Sequence, residues 1–142
     1  MTSYKKILVP VDASSKSSRA IDEAIDIAKQ YGSTIVALYV LPFSPLSYRN
    51  VRVAQEAMYD GGKMRLAKLK EIAAKNKVPM QTKILKGHPG RIIANFANQG
   101  KNRINLVVVG SRDLGGLKEM FLGSVSNFVV HKSRVSVMVV KC

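Results

Sequence analysis

The chain has 142 residues, enough for one domain that buries about two-thirds of its unfolded surface. Lys plus Arg is 23 against 9 Asp plus Glu, a net charge of +14, so the surface attracts polyanions at ordinary salt. No apolar run approaches the roughly 20 residues of a membrane span, and the single cysteine, Cys142, excludes an internal disulfide and a cysteine metal cluster. The N-terminal MTSYKK runs straight into a strand-like segment, which predicts no signal peptide and a cytoplasmic location.

In chain order, Tyr4–Val11 (YKKILVPV) reads as a short buried strand. Asp12 follows, then a Ser-rich turn in which Ser14, Ser15, Ser17 or Ser18 can cap a helix. Ala20, Ile21, Ala24, Ile25, Ala28 and Tyr31 carry that helix to a stop at Gly32. Thr34–Leu41 (TIVALYVL) is almost continuously apolar, as in a parallel sheet covered on both faces. Pro42 to Asn50 is a proline-containing loop. A long helical segment spans roughly Val51 to Lys77, and Gly61-Gly62 within it predicts two helices or a kink.

Gln81–Leu85 is a more polar strand and is expected near an edge of the sheet. Gly87-His88-Pro89-Gly90 is a tight turn. A helix marked by Ile92, Ile93, Phe96 and Ala97 then runs to Gly100. Strand Ile104–Val109 leads into the stretch GSRDLGGLKEMFLGSVS (Gly110 to Ser126), a helix is expected over Ser124–Lys132, and Val135–Val140 (VSVMVV) closes the chain as the last strand. Alternating strands and helices imply an α/β fold with a parallel sheet and right-handed crossovers. Ligands of such sheets sit beyond the carboxyl ends of the strands, where the strand order reverses. If strand 1 neighbours strand 4, Asp12 comes opposite Gly110.

The stretch from Gly110 is a strand, a glycine loop and a helix start, an arrangement that offers backbone N–H groups to a phosphate. It is neither a P-loop nor GxGxxG. On the glycines alone, a loose turn and a Ser-capped helix explain it equally well. The two histidines, His88 and His131, lie far apart and outside any metal spacing, and no GxSxG elbow accompanies Ser124. The dense basic stretch Lys63 to Lys77 has no stacking aromatics beside it, so nucleic acid is expected to bind only nonspecifically.

KKILVPVDAS at Lys5–Ser14, LYVLP at Leu38–Pro42, KGHPGRII at Lys86–Ile93 and VVVGSR…FLGSVS at Val107–Ser126 together resemble the universal stress protein family, over nearly the whole chain. The ATP-binding branch of that family carries Gly, two residues, Gly, nine residues, then Gly-Ser or Gly-Thr. Gly110 matches the first glycine and Gly123-Ser124 the closing pair, while Asp113 stands at the middle glycine. The resemblance implies a single doubly wound domain over residues 1–142, Rossmann-like, with a five-stranded parallel sheet in the order 3-2-1-4-5 and helices on both faces. It implies that Asp12 accepts hydrogen bonds from ribose hydroxyls, that Pro10, Val11, Gly87 and Pro89 shape the nucleoside pocket, and that Val40 meets adenine through its backbone. Gly110, Ser111, Arg112, Gly123, Ser124, Val125 and Ser126 would surround the phosphates. The implied ligand is ATP, with AMP or another adenine nucleotide as alternatives, and Mg²⁺ held near Asp113 is one way to accommodate that carboxylate. A homodimer through Val135–Val140 is also implied.

Three functions are therefore carried forward: a dimeric nucleotide-dependent switch in the stress response, with Pro42–Asn50 as its lid; an interaction protein whose basic surface takes an acidic partner or nucleic acid; and a slow ATPase. No catalytic residue is assigned, because no general base and transition-state cation pair stands out.

Overall fold

A computed structural model describes residues 3–12, 18–42, 48–111 and 123–141. Among these residues five strands alternate with four α-helices: β1 (Lys6–Val11), α1 (Ser18–Tyr31), β2 (Thr34–Leu41), α2 (Tyr48–Lys75), β3 (Met80–Lys86), α3 (Pro89–Asn98), β4 (Leu106–Gly110), α4 (Ser124–Lys132) and β5 (Ser136–Val140). All strand pairs are parallel and the order is β3-β2-β1-β4-β5, so the more polar strand 3 does lie at an edge. Among the described residues, no helix is long and apolar enough to cross a membrane.

Strand alternation divides the core into two layers. Ile7, Val9 and Val11 of β1 join Ile35, Ala37 and Tyr39 of β2 in a layer covered by α1 and α2. Leu8, Leu38 and Val40 turn the other way, against Ile93 and Phe96 of α3 and Val129 of α4. Burial on both faces explains why β1, β2 and β4 read as unbroken apolar runs. Ile7, Leu8, Ile35, Leu38 and Val107 are essentially inaccessible to solvent. Each such side chain contributes about 1.5–3 kcal/mol by leaving water.

The amino ends of the central strands are tied by Asn105, whose Oδ1 accepts from the N–H groups of Lys5 and Lys6 at 2.9 Å each. On the α3–α4 side, Asn98 reaches the far end of α4. Its Nδ2 donates to the Lys132 carbonyl at 3.0 Å, and its Oδ1 accepts from the Arg134 N–H at 2.7 Å.

Gly61-Gly62 does not break α2, which runs as one helix of 28 residues. Gly62 is the point where the helix comes down onto the Tyr39 ring. A Cβ there would lie 2.6 Å from Tyr39 Cδ1. Close packing and helix cooperativity outweigh the ~2 kcal/mol of propensity that two glycines forgo. The helix ends without glycine: Lys77 takes the left-handed conformation (φ 58°), and the Val78 N–H reaches back to the Ala73 carbonyl at 2.9 Å. α3 stops at Asn98, and Gly100–Asn102 forms a short 3-10 turn.

Candidate nucleotide site at the carboxyl edge

The strand order reverses between β1 and β4. The β1–β2 ladder registers six residue pairs and β4–β5 five, whereas β1–β4 registers two, ending at Leu8 and Val107. Pro10 contributes to this early end. The Lys6 carbonyl accepts from Asn105 N–H at 2.9 Å, so even-numbered residues of β1 turn their backbone groups toward β4. Pro10 falls on that side and has no N–H to donate. The sheet is thus unlaced at the carboxyl end of its switch point, where doubly wound folds open a crevice.

The described candidates all lie along this carboxyl edge. Pro10 and Val11 end β1, and Asp12 follows, exposed to solvent. Val40 is the penultimate residue of β2, with its side chain buried toward α3 and α4. Gly87 leaves β3 at φ 148°, a conformation suited to glycine, and its N–H donates to the Leu41 carbonyl at 2.8 Å. Pro89 is the first residue of α3. Gly110 closes β4, and the Ser111 N–H donates to the Val140 carbonyl at 2.8 Å. Arg112 and Asp113 lie outside the described residues, as do Ser14, Ser15 and Ser17 and most of the Pro42–Asn50 loop.

Gly123 caps α4 with extended backbone and no side-chain hydrogen bond. The first helical bond runs from Asn127 N–H to the Gly123 carbonyl at 2.9 Å. The N–H groups of Ser124, Val125 and Ser126 therefore have no helical acceptor, and they carry the positive end of the helix dipole. The Ser126 hydroxyl donates to the Gly110 carbonyl at 2.8 Å and is buried. Its one hydrogen is committed to pinning α4 against the end of β4, so its side chain positions the helix start.

Two features had no signature in the sequence. His88 caps α3: its Nδ1 accepts from the Arg91 N–H at 3.3 Å, and its ring lies 5.8 Å from that of Phe128 on α4. Gly90 fits beneath Phe128, since a Cβ there would come within 2.9 Å of the ring. The amino end of the helix that follows β3 is thereby locked against the middle of the helix that follows β4. The other is Tyr39, level with Val11 in the β1–β2 register. Burial, and secondarily the Asp12 carboxylate, hold its phenol above the ordinary value of 10.0. A raised folded pKa means that this contribution to stability is complete below about pH 10 and is lost as pH climbs through the folded value. Asp12→Asn is expected to lower the Tyr39 titration part of the way to 10.0, because burial, the larger cause, remains. The tyrosinate absorbance lost in Tyr39→Phe isolates it; an unmoved titration would separate Asp12 from the ring.

Chemically, this edge offers main-chain donors and a positive helix end for an anion, with a carboxylate across the switch point that can accept hydroxyl hydrogens. Among the described residues no group of three or more His, Cys, Asp or Glu side chains is placed to hold a metal.

The model of the Universal stress protein family matches residues 3–141. Universal stress protein MJ0531 of Methanocaldococcus jannaschii is 34% identical, the match covering 97% of this chain and 82% of the relative. Universal stress protein YxiE of Bacillus subtilis is 32% identical over 97% and 99% of the two chains. Among solved structures, universal stress protein UspA from Lactobacillus plantarum superposes with a TM-score of 0.85 at 26% identity, covering 99% of both chains. With its strand order, its two-layer core and this match along its length, the chain belongs to the universal stress protein family.

Proposed function

We propose that the chain is a cytoplasmic stress-response regulator that binds an adenine nucleotide at the β1–β4 switch point and works as a dimeric, nucleotide-dependent switch. The observation that carries this reading is the pairing of the unlaced switch point with the glycine-capped start of α4, pinned to Gly110 through Ser126. In this reading Gly110, Gly123, Ser124 and Val125 supply main-chain donors to the phosphates, Ser111, whose N–H is held by the Val140 carbonyl, lies beside them, and Arg112 adds a cation. Asp12 accepts from the ribose hydroxyls, and Pro10, Val11, Val40, Gly87 and Pro89 bound the nucleoside. Solved universal stress proteins sharing this fold at 20–23% identity hold cAMP, dAMP or AMP; at that identity they establish the fold. ATP, with or without Mg²⁺, and AMP are the ligands to test.

The dimer reading rests on β5, an edge strand whose Met138 is 37% exposed while Val137 and Val139 pack inward. An apolar edge of this kind is normally covered. Nucleotide occupancy then shifts the population of lid conformations by the difference in its contacts with each. No catalytic step is assigned.

The test is calorimetric titration of nucleotide-stripped protein with Mg-ATP and with AMP at physiological salt. One site per chain at micromolar affinity is expected, with light scattering reporting a dimer. Absence of heat from protein shown to be folded would overturn the nucleotide reading and leave the family's fold without that ligand.

A further inference from the structure

The proposed dimer uses the β5 edge and leaves β3 open on the other side of the sheet. The Pro79 carbonyl accepts from Ile35 N–H at 2.9 Å, and the Gly87 N–H donates to the Leu41 carbonyl at 2.8 Å. Odd-numbered residues of this segment therefore face β2, and alternate residues of a parallel strand face opposite sides. Met80, Thr82, Ile84 and Lys86 turn their N–H and carbonyl groups outward. β3 holds an unbroken register of seven pairs with β2, so no bulge twists this edge away.

A groove of about 400 Å³ runs beside the edge, between Tyr59, Lys63, Ala67 and Lys70 of α2 and Thr82 and Ile84 of β3. Its walls are mixed apolar and cationic. Lys63 Nζ sits 5.7 Å from the centre of the Tyr59 ring. On the other face of the sheet, Lys83 Nζ sits 5.7 Å from the centre of the Phe96 ring. The edge is therefore flanked by lysines above and below. Among the described residues the salt bridge found is Arg52–Glu56, and Lys63, Lys70 and Lys83 have no carboxylate partner.

We infer that the β3 edge and its α2 groove dock an acidic, extended segment of a protein partner by strand addition. An incoming peptide backbone presents donors and acceptors in the alternation that the outward groups of Thr82 and Ile84 require. A phosphate chain offers acceptors only and would be opposed by the outward carbonyls. The groove also lacks the succession of rings on which bases stack, since its one aromatic wall, Tyr59, is engaged by Lys63. A second copy of β3 would bring Lys83 and Lys86 against their counterparts, an unfavourable pairing that glutamates or aspartates reverse. Side chains alternating along the added strand would set acidic groups near Lys63 and Lys70 on one face and near Lys83 on the other. This inference is independent of nucleotide binding.

The test uses the full-length protein and a fluorescein-labelled octapeptide that repeats two glutamates and two valines, which sets glutamates on both faces of an added strand, followed by anisotropy at physiological salt. Saturable binding of one peptide per chain is expected. Thr82→Pro removes an outward N–H that serves no native ladder bond, so the fold is retained and affinity drops at least about ten-fold. Reversing charge on the exposed face of α2 with Lys63→Glu and Lys70→Glu, which leaves the strand untouched, is expected to cost at least as much. An oligothymidylate of equal charge should fail to compete. No peptide binding overturns the inference and leaves the lysines as guards against aggregation. Undiminished binding by Thr82→Pro in protein shown to be folded, or equal competition by the oligothymidylate, overturns it in favour of charge attraction alone.

Discussion

Asp113→Gly is expected to tighten Mg-ATP binding by up to about three orders of magnitude. Asp113 occupies the position of the middle glycine in the family's phosphate pattern, between Gly110 and Gly123. Two like charges 4 Å apart near a protein surface repel by about 4 kcal/mol, and each 1.36 kcal/mol is a tenfold change. The repulsion scales with the charge on the ligand. AMP should therefore gain less than ATP, and adenosine, which has no phosphate, should gain nothing. Asp113→Asn separates the two ways in which the residue can act. If charge is the obstacle, Asn recovers most of the ATP affinity. If the loop needs a positive φ there, Asn recovers a smaller part and Gly the whole, since Asn tolerates that region better than most residues but worse than glycine. Unchanged ATP affinity in Asp113→Gly would place this residue away from the phosphates. No affinity in either protein would turn attention from nucleotides to the basic surface.

The sheet was the most legible part of the sequence, for a physical reason. β2 begins and ends at Thr34 and Leu41, as its apolar run predicts, because a strand buried on both faces cannot tolerate polar residues within it. β1 starts at Lys6, two residues later than its pattern implies, and β4 at Leu106, also two later. At these strand ends the residues are held by the Asn105 side chain and by single bonds that carry no periodicity. The helices that start at the carboxyl edge are set by contacts remote in sequence. A histidine is no standard helix cap, so the role of His88 is visible only once its ring is seen against Phe128. The reversed backbone of Lys77 and Arg103 (φ 58° and 55°) has no glycine to announce it. Pro10 reads as ordinary strand core until the ladder reveals which neighbour its missing N–H faces. The stretch from Gly110 to Ser126 carries spaced glycines, and it is the family resemblance, not the spacing alone, that suggests a phosphate-bearing ligand. Relative placement of Asp12, Gly110 and Ser126 comes from the strand order, which local sequence does not encode.

Gly61 and Gly62 are adjacent in one helix, yet replacing each by alanine is expected to change stability in opposite directions. Gly61 is exposed and has nothing within 4 Å of an added Cβ. There alanine stabilises by about 1 kcal/mol, through helix propensity and a less flexible unfolded chain. The same gain is available at Gly62, but the new methyl would meet Tyr39 Cδ1 at 2.6 Å and Cε1 at 2.7 Å. Tyr39 is 3% exposed and packed in the core layer with Val11 and Leu41 beneath α2, so a shift of its ring disturbs those neighbours. Overpacking costs about 1–3 kcal/mol, so Gly62→Ala is expected to be a net loss of up to about 2 kcal/mol. Gly62→Val adds more bulk and poorer propensity, and should lose about 3 kcal/mol or more. Urea denaturation of the three variants measures these differences directly. Substituting Tyr39→Leu in the Gly62→Ala background should recover part of the loss, and the double-mutant cycle gives the coupling. If Gly62→Ala stabilises as much as Gly61→Ala does, α2 does not approach β2 as described. The consequence reaches the candidate site, because Tyr39 is also the ring that senses Asp12. The glycine that lets α2 settle on β2 therefore holds in place the side chain beside the proposed ribose acceptor. Gly62→Val should weaken nucleotide binding even in protein that remains folded.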